Sequence, residues 1–373
     1  MGEQDPRRLG SSAHPPPPHP VKVLVTGATS MLGRALAEVL LGKGAEVTVL
    51  QRRPAGLPCR EVLGDIADPA VVRRSTTGQD AVVHLAAKVD VTGRWAEYAR
   101  ANIDGTRNVI NACRATGVPR LVHVSTPSVA HHGRALVGAG AEPADPTRAR
   151  GHYARSKAVA ELDALAADSP GLAVLVVRPH LVWGPGDTQL VGRIVARAQS
   201  GRLPLIGSGA ALIDTTYVDN AAAALAAAVA ACGAVHGESL IVSNGEPRPV
   251  REVLARLCRA AAVPGPRHRV PFRASWLAGG AVEGVWALTG RRDTPPLTRF
   301  LAEQFATAHW FDQRRTHEAL DWAPHVGLDD GFARLSAWYA TPTSPPPARR
   351  TALSAAAGGS RTPASSTPGP LYV

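Results

Sequence analysis

The segment YARSK sets Tyr153 and Lys157 four residues apart. On a helix, as the amphipathic stretch 153–167 predicts, the two side chains share one face and lie one turn from each other. A phenol with an ordinary pKa of about 10 is a poor acid–base group at neutral pH. A neighbouring ammonium favours the phenolate, so the pair can shuttle a proton. Thr126 follows the apolar run RLVHVS and could donate a hydrogen bond to a substrate oxygen that gains negative charge. Tyr153, Lys157 and Thr126 are therefore the candidate catalytic set.

A second constellation lies near the start of the chain, where VKVLV runs into TGATSMLG and then into a helical stretch, 31–42. Gly27 and Gly33 stand where a turn brings backbone amides up to a pyrophosphate at a helix N-terminus, with Thr29, Met31 and Leu32 in the same turn. Ser30 holds the middle position of the TGxxGxxG pattern, where a second glycine is usual. Its side chain either donates to the phosphate or crowds it. The second apolar run, EVTVL, ends in Gln51, Arg52 and Arg53. An NAD-preferring protein places a carboxylate there for the ribose 2′-hydroxyl, whereas guanidinium groups suit a 2′-phosphate. NADP(H) is the favoured cofactor and NAD(H) stays open; two solvated arginines are the plain alternative. Asp65 and Ile66 follow the third strand, where Asp65 could receive the adenine amino group. Ala86 and Ala87, followed by Lys88, end the fourth strand with small side chains against which a flat cofactor could lie. Ordinary packing explains each of these equally well when taken alone.

The elements that must position these residues form a regular alternation. Short apolar runs at 21–25, 46–50, 81–86, 120–125 and 172–178 are separated by amphipathic stretches at 31–42, 102–115 and 153–167. This predicts an α/β fold, a Rossmann-type doubly wound parallel sheet covered by helices on both faces. The expected organisation is a dinucleotide-binding domain at 21–180, joined by later segments such as 212–242, and a smaller substrate lobe at 181–340. Residues 1–20 and 341–373, rich in Pro, Ser, Ala and Gly, are expected to be disordered tails.

Composition narrows the function further. Hydrophobic residues make up 45% and charged residues 19%, the balance of a soluble globular protein. The net charge of +11 comes from arginines scattered along the chain, which argues against a nucleic-acid partner. Cys59, Cys113, Cys232 and Cys258 form no CxxC pair, so neither a metal site nor a disulfide framework is expected. No apolar run suits a signal peptide or a spanning helix, and a cytoplasmic location is expected. In the C-terminal half, Trp183, Leu190, Leu205, Ile206, Trp276, Leu277, Trp286 and Phe300 offer an apolar set for a small-molecule substrate. The stretch 274–290 could roof that pocket or contact a membrane surface peripherally, or it could be an ordinary buried helix.

From about residue 21 to 340 the chain resembles the extended short-chain dehydrogenase/reductase superfamily (NAD-dependent epimerase/dehydratase-like). TGATSMLG, GDIAD, HLAA, NIDGTRNVINACRATGVPRLVHVSTPSV, YARSK, RPHLVWGPGD and DTTYVDNAA stand in that family's order. Within it the chain looks most like the 3β-hydroxysteroid dehydrogenase branch, being similar to sterol C4-decarboxylating dehydrogenases and bacterial 2-alkyl-3-oxoalkanoate reductases. The resemblance implies a redox reaction between a hydroxyl and a ketone on a steroid-like or long-chain lipid. It places the acid–base tyrosine on Tyr153, the lysine that also holds the nicotinamide ribose on Lys157, and the hydroxyl residue on Thr126, with Ser125 as a neighbour that could substitute. It sets Asn102 on the helix after the fourth strand, and Pro179 and His180 after a strand whose end meets the nicotinamide. His131 and His132 have no family counterpart and read as surface-loop residues. Asp219 is expected to cap its helix and tie the lobes together, and a homodimer is left open. A nucleotide-sugar epimerase or dehydratase of the same fold, which needs polar and basic groups for a diphosphate, is the rival reading. A non-catalytic cofactor-binding regulator is the other; that class usually lacks the tyrosine or the lysine.

Overall fold

The computed structural model describes residues 19–90, 93–289, 295 and 297–341. Seven parallel strands form the central sheet: β1 (Lys22–Thr26), β2 (Glu46–Gln51), β3 (Arg60–Leu63), β4 (Ala81–His84), β5 (Arg120–Val124), β6 (Ala173–Pro179) and β7 (Glu238–Val242). Their spatial order is β7-β6-β5-β4-β1-β2-β3. The chain therefore runs outward one way from β1 through β3 and the other way from β4 through β7. The reversal lies between β1 and β4, and ligands of such sheets bind at the carboxyl ends of the strands flanking it. The strands are continuous apolar runs, such as Val23–Val25 and Val174–Val177, because both faces are covered.

Helices α1 (Met31–Gly42) and α5 (Val218–Ala231) cover one face. Five alanines of α5, Ala221, Ala222, Ala224, Ala226 and Ala228, are buried, and these short side chains let the helix lie close on the sheet. Helices α2 (Pro69–Thr76) and α3 (Gly105–Thr116) cover the other face through Val71, Val72, Val109 and Ile110. Helix α4 (Gly151–Leu165) carries the YARSK segment. Gln51 ends β2, Asp65 follows β3, Ala86 follows β4, Ser125 follows β5 and His180 follows β6, so the candidate residues collect at one end of the sheet.

The C-terminal half builds a second core. The Trp183 ring stacks on Phe332 with centroids 4.6 Å apart and meets Tyr217 edge-on at 5.4 Å, surrounded by Leu205, Val253, Leu254 and Leu257. Trp183 and Leu205 thus build the lobe rather than wall a pocket, and Ile206 is buried as well. Leu277, by contrast, is 67% exposed. Among the described residues no helix is long and apolar enough to cross a membrane.

The junction of the two halves corrects the expectation for Asp219. The N-cap of α5 is Tyr217, with no side-chain capping bond, and Asp219 instead pairs with Arg334 at 2.9 Å. The residue that seals the junction is its neighbour Asn220, fully buried. Its Oδ1 accepts from the N–H groups of His325 and Val326, both at 3.0 Å, and its Nδ2 donates to Asn244 Oδ1 at 2.9 Å and Val326 O at 2.7 Å. Asn220→Ala strands these groups away from water, and we expect it to lower stability by roughly 2–4 kcal/mol in urea unfolding. Asp219→Ala, which opens only an exposed pair, should cost less than about 1 kcal/mol.

Candidate active site

The glycine turn is dictated by distance. Gly27 has φ +82°, and a Cβ there would lie 3.0 Å from the backbone of Ala86; a Cβ on Gly33 would lie 2.4 Å from Gly27 O. Ser30 has φ −76°, a value open to any residue, and caps α1. Its hydroxyl donates to Gly27 O at 2.8 Å and accepts from Gly33 N–H at 3.1 Å, so the side chain is occupied inside the turn. Thr29 is exposed, while Met31 and Leu32 are half-buried and pack on the lobe core. Gln51 is buried with both atoms of its side-chain amide unpartnered, and Arg52 and Arg53 beside it are exposed. Asp65 accepts from Ala67 N–H at 3.0 Å, and Ile66 packs under Gly105. The close-packed Gly27–Ala86 contact and the orphaned Gln51 amide fit a dinucleotide laid across the ends of β1, β2 and β4; these are the residues that could hold one.

A buried chain of hydrogen bonds fixes the neighbouring strand end, and its polarity can be worked out. Thr106 Oγ1 donates to Asn102 O at 2.6 Å, so it must accept from His84 Nε2 at 3.1 Å. His84 Nδ1 is then an acceptor and takes the proton of Thr26 Oγ1 at 2.8 Å, which leaves Thr26 Oγ1 to accept from Ala86 N–H at 3.1 Å. Burial, and next the charge of Lys157, hold the His84 imidazole down at about 3, so it stays neutral.

Asn102 lies on a π-helical turn, Ala99–Asp104, that leads into α3. Such turns recur at functional sites because they redirect one side chain out of the helical series. Its Oδ1 accepts from Lys88 N–H at 2.6 Å, and its Nδ2 donates to Lys88 O at 3.1 Å and Ser156 Oγ at 2.9 Å. Ser156 in turn donates to Tyr153 O at 2.8 Å. Asn102 therefore ties the loop after β4 to α4. The Lys88 ammonium meets Asp90 at 2.9 Å and Glu97 at 3.4 Å, while Ala87 stays half-buried at the strand end.

Thr126 and Tyr153 come together, and Lys157 lies one turn further along α4. Burial pushes the Tyr153 phenol up to about 12, opposed by a side-chain hydrogen bond with Thr126, so the tyrosine is a neutral acid. Lys157 is buried; it donates to Val124 O at 2.7 Å and reaches His123 Nε2 at 3.3 Å. Burial pulls its ammonium down to about 8, opposed by the charge of Glu161. His123 is held well below the usual histidine value, first by burial and then by Lys157, and is the neutral acceptor of this contact. Ser125 is turned away from the reacting end: its hydroxyl donates to Glu161 Oε2 at 2.5 Å, leaving Thr126 as the hydroxyl beside the phenol.

Glu161 and Arg178 are the residues that reading the sequence missed. Both are buried, and the carboxylate receives Arg178 Nε at 3.1 Å on each oxygen, together with Ser239 Oγ at 3.0 Å. The signal available was spacing, since Glu161 follows Lys157 by one helical turn and a glutamate there is otherwise an unpaired charge on a buried face. Pro179 is buried at the end of β6. His180 Nδ1 donates to Asp214 O at 2.5 Å, and burial holds the ring neutral at about 4. His131 corrects the surface-loop expectation: it is buried, with Nε2 3.1 Å from His309 Nε2. His132 is half-buried.

Residues 23–243 match the family described as "NAD dependent epimerase/dehydratase family". The chain belongs to this family. It is 41% identical over 326 residues to the 2-alkyl-3-oxoalkanoate reductase of Stenotrophomonas maltophilia, covering 85% of this chain and 99% of that protein. It is 25% identical over 320 residues to the human decarboxylating sterol-4-alpha-carboxylate 3-dehydrogenase, covering 83% of this chain and 86% of the relative. Among solved structures, a double mutant of dTDP-glucose 4,6-dehydratase from Streptomyces venezuelae with NAD and DAU bound is similar with a TM-score of 0.67 and 25% identity, over 85% of this chain and 96% of that one. Within the family the chain is an oxidoreductase that interconverts a hydroxyl and a ketone on a small molecule.

The lysine sets the pH response. With the ammonium held at about 8, kcat/KM should fall as pH rises through that value and the positive charge is lost. A profile flat to pH 10 would show that the reaction does not use this charge. Glu161→Gln removes the charge that holds the ammonium up, and should move this alkaline limb to lower pH.

Proposed function

We propose that this protein uses NADP(H) to interconvert the 3-oxo and 3-hydroxy forms of a long-chain 2-alkyl carboxylic acid. The observation that carries the reading is the neutral Tyr153 phenol hydrogen-bonded to Thr126 just after β5, with the buried Lys157 one helical turn further along α4. Relatives' names support the substrate class. In both the alkanoate and the sterol carboxylate, the carboxylate is borne by the carbon next to the one that changes oxidation state.

A nicotinamide held at the ends of β1, β2 and β4 would supply the hydride that the carbonyl carbon accepts. Tyr153 delivers its phenolic proton to the carbonyl oxygen as that oxygen gains charge, and Thr126 hydrogen-bonds the same oxygen. Lys157 stabilises the phenolate left behind until solvent reprotonates it. The C=O bond becomes H–C–O–H, with the proton balance closed at Tyr153. Gln51, Arg52 and Arg53 favour the 2′-phosphate, because no carboxylate stands at the end of β2 to repel it.

Two measurements test this. On the 2-alkyl-3-hydroxy acid, Tyr153→Phe should lower kcat by at least about a hundredfold while the NADPH dissociation constant changes little. Full activity in that variant would discard the proton path. For the cofactor, NADPH should bind more tightly than NADH, and Gln51→Asp combined with Arg52→Ala should invert the order, since a charge-assisted contact contributes roughly 1.5–3 kcal/mol. Equal affinities in the parent protein would assign both arginines to solvent.

A further inference from the structure

Thr26 on β1, His84 on β4 and His123 on β5 are partners in the strand registers, so their side chains stand side by side in one buried row across the sheet. The row faces α4, because His123 meets Lys157. Its next member, Val176 on β6, is apolar, which makes His123 the last polar residue of the row and the one in contact with the lysine. The His84 and His123 rings lie 5.5 Å apart, centroid to centroid. His84 is bonded at both ring nitrogens, to Thr26 and to Thr106. His123 is bonded at one. An ammonium only donates, so the 3.3 Å contact makes Nε2 of His123 the acceptor and leaves its proton on Nδ1. Nδ1 has no partner among the described residues. A buried N–H without an acceptor is destabilising, and an apolar residue of the same size would avoid it. The imidazole's one hydrogen bond is to the ammonium.

Lys157 also donates to Val124 O at 2.7 Å, so two of its three N–H groups are committed to consecutive residues of β5. The other titratable and charged groups around it are Glu161 one turn further along α4, Tyr153 one turn back and His84 across from β4, with Arg178 of β6 held on Glu161. We propose that His123 is a positioning residue for Lys157: its Nε2, together with Val124 O, fixes two N–H groups of the ammonium and thereby turns the third toward the reacting end. The same hydrogen bond favours the charged form of the lysine over the neutral amine. This inference rests on the reading that puts Lys157 beside the proton path, and it adds the group that aims it.

The test records kcat/KM against pH for oxidation of a 2-alkyl-3-hydroxy acid by the full chain with NADP+. His123→Leu, which removes the acceptor at nearly constant volume, should move the alkaline limb to lower pH by at least about half a unit, the scale of a hydrogen bond to a charged group. His123→Gln, whose amide oxygen can accept again, should return the limb toward its parent position. A loss of kcat/KM in both variants with the limb unmoved would assign His123 to packing and overturn the inference, while leaving Lys157 in the reaction. A parent profile with no alkaline limb would remove the ammonium from the reaction, and the inference with it. Histidine 15N spectra of the parent at about pH 7 give a second reading that needs no active variant and stands if His123→Leu fails to fold. The resonances missing in His123→Gln should show a protonated Nδ1 and a bare Nε2. A protonated Nε2 would overturn the acceptor role.

Discussion

One carboxylate without access to water organises the reacting end of the molecule. Glu161, on α4, receives Ser125 from the end of β5, Arg178 from the end of β6 and Ser239 from β7. Removing an ion pair from water is costly, and a pair of this kind holds only where its remaining lone pairs are met by further donors. Here they are, and Arg178 gives a second hand to Glu142 O at 2.7 Å. The residues just beyond these anchors are Thr126, after the end of β5, and Pro179 with His180, at and after the end of β6. In the proposed mechanism the proton-transfer groups are therefore placed by a network whose side chains bond one another. The same charge keeps the Lys157 ammonium from falling further under burial, so position and ionisation are set by one group.

A second brace works from the opposite side. The π turn at Asn102 reaches both the loop after β4 and the catalytic helix, and the Thr26–His84–Thr106 chain has only one consistent proton order. Its histidine is neutral because burial forbids the charge, so both ring nitrogens have defined roles and the strand end cannot re-pair. Between the two braces, the glycine turn and the loop after β4 are held apart by the Gly27–Ala86 backbone contact, and α4 is tied in by the side chains of Asn102 and Glu161.

Much of this could be read along the chain. Helix 31–42 and five of the seven strands of the sheet follow from apolar runs and their punctuation, because both depend on local periodicity. Tyr153 and Lys157 were legible for the same reason, since one helical turn fixes their relation. What was hidden depends on contacts between distant segments. Glu161 and Arg178 are 17 residues apart in sequence and meet only because α4 lies across β6. Asp219 had the residue type of a cap, but the chain enters α5 from Tyr217, and the polar work at the junction falls to Asn220. His131 carried no local sign of burial; the partner that encloses it, His309, is 178 residues away. Trp183 looked like a pocket wall because aromatic residues suit both pockets and cores, and periodicity does not tell the two apart.

The turn at Ser30 has a consequence for how the molecule meets its cofactor. A glycine in that position would leave the loop free to sample many shapes until a phosphate arrived and selected one. The serine latch, bonded to Gly27 O and Gly33 N–H, holds the loop in one shape beforehand. The entropy of ordering is then charged to folding instead of to binding, and the site greets a nucleotide as a rigid mould. Which letter stands there matters less than whether the turn arrives already closed.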